Sequence, residues 1–262
     1  MELSLRQQVA VVCGGSQGIG LASARALAEL GASIVLVARD PERLEAARQR
    51  LATRDQQEHH YFALDFSNRQ AVQRVAADIV ASVPTVHILV NNSGGPPAGS
   101  ALDATPEQYE QAFTSHLLAS QLFVQAFAPA MKKQNYGRIV NIISTSVKQP
   151  ILGLGVSNTI RGAVASWAKT LSLELGPYQI TVNNVLPGFT ATGRLDSLIQ
   201  TKAAREGATT EQVAQAMARE VPLGRFADPG EIAAAVAFLA SPAASYINGI
   251  NLPVDGGRTG SL

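Results

Sequence analysis

The first chemistry the sequence offers is anion binding. Gly14-Gly15-Ser16-Gln17-Gly18-Ile19-Gly20 follows the apolar run Val9-Ala10-Val11-Val12-Cys13 and precedes Leu21, Ala24, Leu27 and Ala28 at helical spacing. The pattern reads as strand, tight turn, amphipathic helix. Glycines at 14, 18 and 20 permit positive φ and close backbone approach. A helix opening near Ile19 aims unpaired N–H groups and its positive dipole end at an anion. A dinucleotide pyrophosphate is the usual guest of such a corner. The spacing is Gly-x-x-x-Gly-x-Gly rather than Gly-x-Gly-x-x-Gly, and a glycine turn between strand and helix can also serve packing alone.

Composition removes other chemistries. One cysteine in 262 residues leaves no internal disulfide and no cysteine metal cluster, and Cys13 reads as a small buried apolar residue. No metal site is expected, and His59-His60, without companions, reads as surface. With 21 basic and 20 acidic residues the net charge is +1, with no basic run. Neither a nucleic-acid nor an anionic-membrane partner is therefore expected. Apolar runs such as Ala233 to Ala240 fall short of the roughly 20 residues of a membrane span, and Met1-Glu2-Leu3-Ser4-Leu5-Arg6 carries no signal-peptide pattern. The expectation is a cytoplasmic protein acting on small molecules.

The positioning elements alternate along the chain. Strands are expected at Ser33 to Ala38, His60 to Leu64, Val86 to Val90, Arg138 to Ile143 and Ile180 to Val185. Helices are expected from Asp40-Pro41, over Asn68 to Val83, from Thr105-Pro106 as one long helix ending near Lys133, over Ser157 to Leu175, and from Asp228-Pro229-Gly230-Glu231. Near-continuous apolar strands alternating with helices predict an α/β fold: a Rossmann-type, doubly wound parallel sheet with helices on both faces, as a single domain over 1–262. Between residues 189 and 221, Leu195, Leu198, Ile199, a break at Gly207 and a helix over Thr209 to Met217 predict a helical lid; a packed hairpin of helices is the other reading. Gly94-Gly95-Pro96-Pro97-Ala98-Gly99 would form the opposite wall.

These motifs resemble those of the short-chain dehydrogenase/reductase family, most closely its β-ketoacyl-carrier-protein reductases, over essentially the whole chain. Beside the glycine corner (Gly14, Ser16, Gln17, Gly18, Ile19, Gly20), Asn91-Asn92-Ser93-Gly94 is similar to the family's Asn-Asn-Ala-Gly, and Asp65 to its adenine-contacting aspartate. Pro187-Gly188 follows the sixth strand as in the family. Pro222-Leu223-Gly224-Arg225 and Val254-Asp255-Gly256-Gly257 match its C-terminal signposts. The resemblance implies a nucleotide held by these residues with Asn91, Ser93, Gly94, Thr190 and Thr192, and a homotetramer with faces built from the helices at Thr105 and Ser157. At the end of the second strand, where NAD-binding relatives carry an acid, stands Ala38 with Arg39 beside it. Arg39 offers a 2′-phosphate a charge-assisted partner, so NADP (NADPH) is expected over NAD, a solvated arginine being the other reading.

The family's catalytic pattern is Ser, then Tyr-x-x-x-Lys on the next helix, plus an Asn in the helix before. Ser144 stands at the serine position. Ser157 takes the place of the tyrosine, Arg161 of the lysine and His116 of the asparagine. An aliphatic hydroxyl titrates far above a phenol, so Ser157 is not expected to act as a general base. Arg161 can still donate to the nicotinamide ribose, and Ser144 and Ser157 can donate to a substrate oxygen. His116, Lys148 or water would supply the proton. The plainer readings make Ser157 a helix N-cap, Arg161 an interface or ion-pair residue and His116 a packed core histidine. Dienoyl-CoA reductases, which also lack the tyrosine, reduce a conjugated alkene.

Two functions therefore remain open at this point. One is an NADP-dependent reductase transferring hydride to a carbonyl or activated alkene of a small or acyl-type substrate. The other is an NADP(H)-binding regulatory or scaffold protein without turnover.

Overall fold

The computed structural model describes residues 1–261. Seven strands form one parallel sheet: β1 (Val9–Cys13), β2 (Ser33–Ala38), β3 (His60–Ala63), β4 (Ile88–Asn91), β5 (Gly137–Ile142), β6 (Ile180–Pro187) and β7 (Asn251–Val254). Their order is β3-β2-β1-β4-β5-β6-β7. The order reverses between β1 and β4, and in a doubly wound sheet the crevice beyond the carboxyl ends of the strands at that point is where ligands bind. This is the Rossmann-type architecture expected from the alternation.

Strand β1 shows why the sheet is covered on both faces. Ala10 and Val12 pack in one apolar layer with α1 (Gly18–Glu29), α2 (Pro41–Arg48) and α9 (Pro229–Ala240). Val9, Val11 and Cys13 pack in the other with α3 (Arg69–Ser82) and α5 (Ala119–Gln134), around Phe123 and Phe127. Successive side chains of a strand point to opposite faces, so a run of apolar residues rather than an alternation is required. Burial raises the Cys13 thiol to about 12, consistent with an inert core residue.

Three expectations are corrected. The long helix after Thr105 is broken into α4 (Pro106–Phe113), a π-helical turn (Thr114–Leu118) and α5. This widened turn falls where His116 lies, and such turns often mark functional positions. The helix at Ser157, α6 (Gly155–Leu175), starts two residues earlier with Leu154 at its cap, so Ser157 lies inside the first turn and is not an N-cap. His59 is not a surface residue. It is buried, its Nδ1 accepts the Ile34 N–H at 3.0 Å, and its Nε2 lies 2.8 Å from the Ala52 carbonyl.

A polar seam crosses the apolar sheet. Asn91, Asn141, Asn184 and Asn251 face one another in register on β4 to β7. Asn91 Nδ2 donates to Asn141 Oδ1 at 2.9 Å, Asn141 Nδ2 to Asn184 Oδ1 at 2.9 Å, and Asn184 Nδ2 to Asn251 Oδ1 at 2.8 Å. Three side-chain bonds link the four amides in a row, which pins strand register beneath the crevice. The series ends on Asn91 Oδ1, buried without a hydrogen-bond partner.

Candidate active site

At the nucleotide end, backbone does the positioning. Gly14 and Gly18 have φ of +61° and +55°. A Cβ on Gly20 would stand 2.1 Å from the Gly14 carbonyl oxygen, so only glycine lets α1 start this close to β1. The N-termini of α2, α3 and α9 are capped by the side chains of Asp40, Asn68 and Asp228. That of α1 has neither a side-chain cap from Gln17 nor an acidic residue in its first turn. Its N–H groups remain for an anion. Ser16 and Ile19 lie half-buried in this corner, and Thr192 closes over it, its Cγ2 3.3 Å from a Cβ placed on Gly18.

Around the corner lie the polar groups expected to hold the rest of a dinucleotide. Arg39 is exposed and its charge reaches Asp65, whose carboxyl is held below the usual range by the Ser67 N–H, then the Ser67 hydroxyl, then Arg39. Arg43, which sequence reasoning missed, donates to Gln17 Oε1 at 3.0 Å and pairs with Asp40 at 3.2 Å. Its place one helical turn past Arg39 was the available signal. Gly94 faces open space at the crevice, whereas Gly188 packs against Asp255 after β7. Thr190 and Thr192 tie the chain beyond Pro187 by hydroxyl bonds to the Gly188 and Thr190 carbonyls. Asn91 faces its neighbours in the seam rather than the corner.

At the other end, side chains do the positioning. Asn91, Ser93, His116, Asn141 and Arg161 converge with Cys13 on a cavity of about 20 Å³, room for about one water. No tyrosine lines it. Ser93 Oγ hydrogen-bonds His116 Nδ1. Burial, then the charges of Arg161 and Arg194, push the His116 imidazole down to about 2. That direction favours the neutral imidazole, a weaker proton donor than the imidazolium. Arg161 is buried and donates to the Ile142 carbonyl at 3.0 Å. It forms no ion pair among the described residues. Burial, then Arg194, lower its guanidinium to about 10, still charged.

Ser144 follows Ile143, which lines this cavity, and Ser157 lies one helical turn before Arg161, which also lines it; neither serine lines it itself. Ser144 Oγ accepts the Ser146 N–H at 3.1 Å at the start of a 3₁₀ turn (Thr145–Val147), which fixes the oxygen and leaves its proton to donate. Ser157 is buried one helical turn before Arg161, and its hydroxyl makes no hydrogen bond among the described residues. Lys148 is exposed just past the 3₁₀ turn.

Residues 14–259 match the family profile described as enoyl-(acyl carrier protein) reductase. The 3-oxoacyl-[acyl-carrier-protein] reductase of Aquifex aeolicus is 31% identical over 98% of this chain and 99% of its own. The chain belongs to the short-chain dehydrogenase/reductase family. It is an NAD(P)-dependent short-chain oxidoreductase. An NADPH-dependent reductase of Bacillus subtilis, BacG, is 29% identical over 98% of this chain and all of its own. The crystal structure of L-sorbose reductase from Gluconobacter frateurii, complexed with NADPH and L-sorbose, is 30% identical and superposes over the full length of both chains with a TM-score of 0.93.

In this short-chain oxidoreductase the segment after β6 forms α7 (Gly193–Glu206) and α8 (Thr210–Arg219), broken at Gly207 with φ +63°. Leu195, Ile199, Ala203, Val213 and Met217 make a small core of their own, apart from the sheet layers. Leu198 instead lines a cleft of about 540 Å³ with Ile151, Leu154, Phe189, Met217 and Lys202. The 94–99 wall is held by Gly99, which bonds Gly153 and Gly155 at 2.8 and 3.0 Å. Sequence reasoning missed the cleft's third side, the 149–154 loop with Arg258. It had no motif to mark it.

Proposed function

We propose that the protein is an NADPH-dependent reductase transferring hydride to a carbonyl or activated alkene of a small or acyl-type substrate, without a tyrosine acid/base. It acts as a single domain with residues 189–221 as lid. The carrying observation is that Ser144 keeps its hydroxyl proton while its oxygen accepts the Ser146 N–H, and that Ser157 is buried one helical turn before the buried, charged Arg161. The nucleotide corner stands at the other end of the same crevice. Arg39 and Arg43 favour a 2′-phosphate, which each would meet with a charge-assisted bond.

Bound dihydronicotinamide supplies the hydride. Ser144 and Ser157 donate to the substrate oxygen and stabilise the negative charge that develops there. Arg161 would donate to the nicotinamide ribose and add positive field. With the His116 imidazole held neutral, Lys148 or water is the favoured proton source. This demand is lightest for an activated alkene, where the oxygen needs only hydrogen-bond support. The test is steady-state kinetics with NADPH and a panel of ketones, 3-oxoacyl thioesters and enoyl thioesters. Turnover that falls in Ser144→Ala with NADPH affinity unchanged supports the reading; an unaffected rate removes Ser144 from the mechanism.

A second reading is an NADP(H)-binding protein without turnover, favoured by the tyrosine-free cavity and the neutral His116. One verified reduced product ends it. The relatives' family also implies a homotetramer, with α4, α5 and α6 forming its faces. Phe113 and Tyr109 of α4 lie beside Thr159 of α6 on that surface. Solution scattering reporting a monomer at micromolar concentration contradicts this assembly.

A further inference from the structure

The two faces of α7 are built for different neighbours. Leu195, Ile199 and Ala203 pack inward against Val213 and Met217 of α8. Leu198, Thr201, Lys202 and Arg205, spaced i, i+3, i+4 and i+7, turn instead to the cleft of about 540 Å³. Thr145, next to Ser144, lines this cleft too, so it abuts the end proposed to be catalytic. Its facing wall, the 149–154 loop, is held by a clasp within the chain: Asn158 Nδ2 donates to the Ile151 carbonyl at 2.9 Å, and Asn158 Oδ1 accepts the Ile151 N–H at 3.3 Å. The charges on the cleft do not balance. Of its three cations, Arg205 pairs with Glu206 at 3.2 Å and Arg258 with Glu220 at 2.9 Å, which uses both of the cleft's acids. Lys202, half-buried, has no ion pair among the described residues. An ammonium whose stem runs along apolar walls is screened less than one on open surface, and it draws an anion to that spot.

We propose that the substrate lies along α7 with an apolar middle and a terminal anion, carboxylate or phosphate, seated at Lys202. The proposal deepens the reductase reading and rests on it for placing the reducible carbon beside Ser144. α7 begins at the nucleotide corner, where its cap Thr192 stands over Gly18, and Lys202 lies about 6 Å of helix rise beyond Leu198. The anion is therefore farther from the nicotinamide seat than the apolar contacts with Leu198, and a spacer of several carbons separates it from the reducible centre. Ile151, Leu154, Phe189 and Leu198 suit that spacer and penalise a charge placed along it. The lysine ammonium, a point charge on a flexible stem, accepts either anion. At about 540 Å³ the cleft falls within the range of small-molecule sites. The substrate class is thus a medium-chain oxo or α,β-unsaturated compound with an anionic far end.

The test is calorimetric titration of the NADP⁺-loaded protein with 5-oxohexanoate, 7-oxooctanoate and 9-oxodecanoate, each beside its neutral methyl ester and the matching oxoalkyl phosphate. At least one anion is expected to bind about tenfold tighter than its ester, the worth of one charge-assisted bond. Whichever anion is the tighter supports the proposal and names the terminal group. Lys202→Gln should erase the ratio while leaving ester and NADP⁺ affinity within twofold; Lys202→Arg should keep it, and Lys202→Glu should reverse it. No binding by any anion, equal affinity of anions and esters across the series, or a preference that survives in Lys202→Gln overturns the proposal. Anion-selective binding without reduction of any member leaves this proposal standing and counts against the reductase reading alone.

Discussion

The two ends of the crevice are built from different materials. The nucleotide end is made of backbone: positive φ at Gly14 and Gly18, no room for a Cβ at Gly20, and the uncapped start of α1. The end proposed to be catalytic is made of side chains, those of Ser93, His116, Ser144, Ser157 and Arg161. Val156 and Ile160, which flank Ser157 in sequence, bury themselves whatever residue 157 is. A site made of backbone can change only with the fold, whereas one made of side chains can be rewritten on an unchanged frame. On the proposed reading, that is why the glycine corner keeps the pattern the sequence resembles while His116, Ser157 and Arg161 do not.

The sharpest way to break this contrast is Gly20→Ala. Its methyl group would overlap the Gly14 carbonyl, so α1 must shift and NADPH binding by fluorescence titration is expected to vanish. Retained affinity would mean that the corner is not the phosphate seat. Next in size, Ser144→Ala should cost about 10²–10³ in turnover, the usual worth of one donor to a developing oxyanion, with NADPH affinity intact. Arg39→Ala should reduce the preference for NADPH over NADH about tenfold or more, from a charge-assisted bond of ~1.5–3 kcal/mol. Adding Arg43→Ala should deepen the loss, and an unchanged cofactor ratio in both variants would reassign the pair to solvent.

The smallest expected effect is on stability against pH. His116, His59 and His87 are all lowered from their ordinary value of 6.5 chiefly by burial, His116 to about 2. The unfolded chain binds these protons near 6.5 and the folded chain only at lower pH. Stability from the three histidines is therefore complete above about 6.5 and declines as pH falls below it. Denaturant midpoints between pH 7.5 and 4.5 should show this acid slope, and His116→Asn should flatten it. An identical slope in that variant would place His116 in water.

The fold was largely legible because its signals are periodic: apolar strands, capped helix starts at Asp40, Asn68 and Asp228, and the glycine corner. What escaped depended on contacts between distant segments. No local pattern announces that His59 folds back onto Ile34, or that residue 116 sits in a π-helical turn where Ser93 meets it. The asparagines at 91, 141, 184 and 251 are each unremarkable in sequence, and only strand register makes them a seam.

The central claim is that hydride transfer survives the rebuilt catalytic end. Its most direct test is to incubate the protein with NADPH deuterated at the transferable position and a mixture of ketones, oxo acids, 3-oxoacyl thioesters and enoyl thioesters, reading products by mass spectrometry. Deuterium on a product carbon is the predicted result. NADPH that binds tightly while no product carries deuterium would contradict the claim and leave a nucleotide-binding protein without turnover.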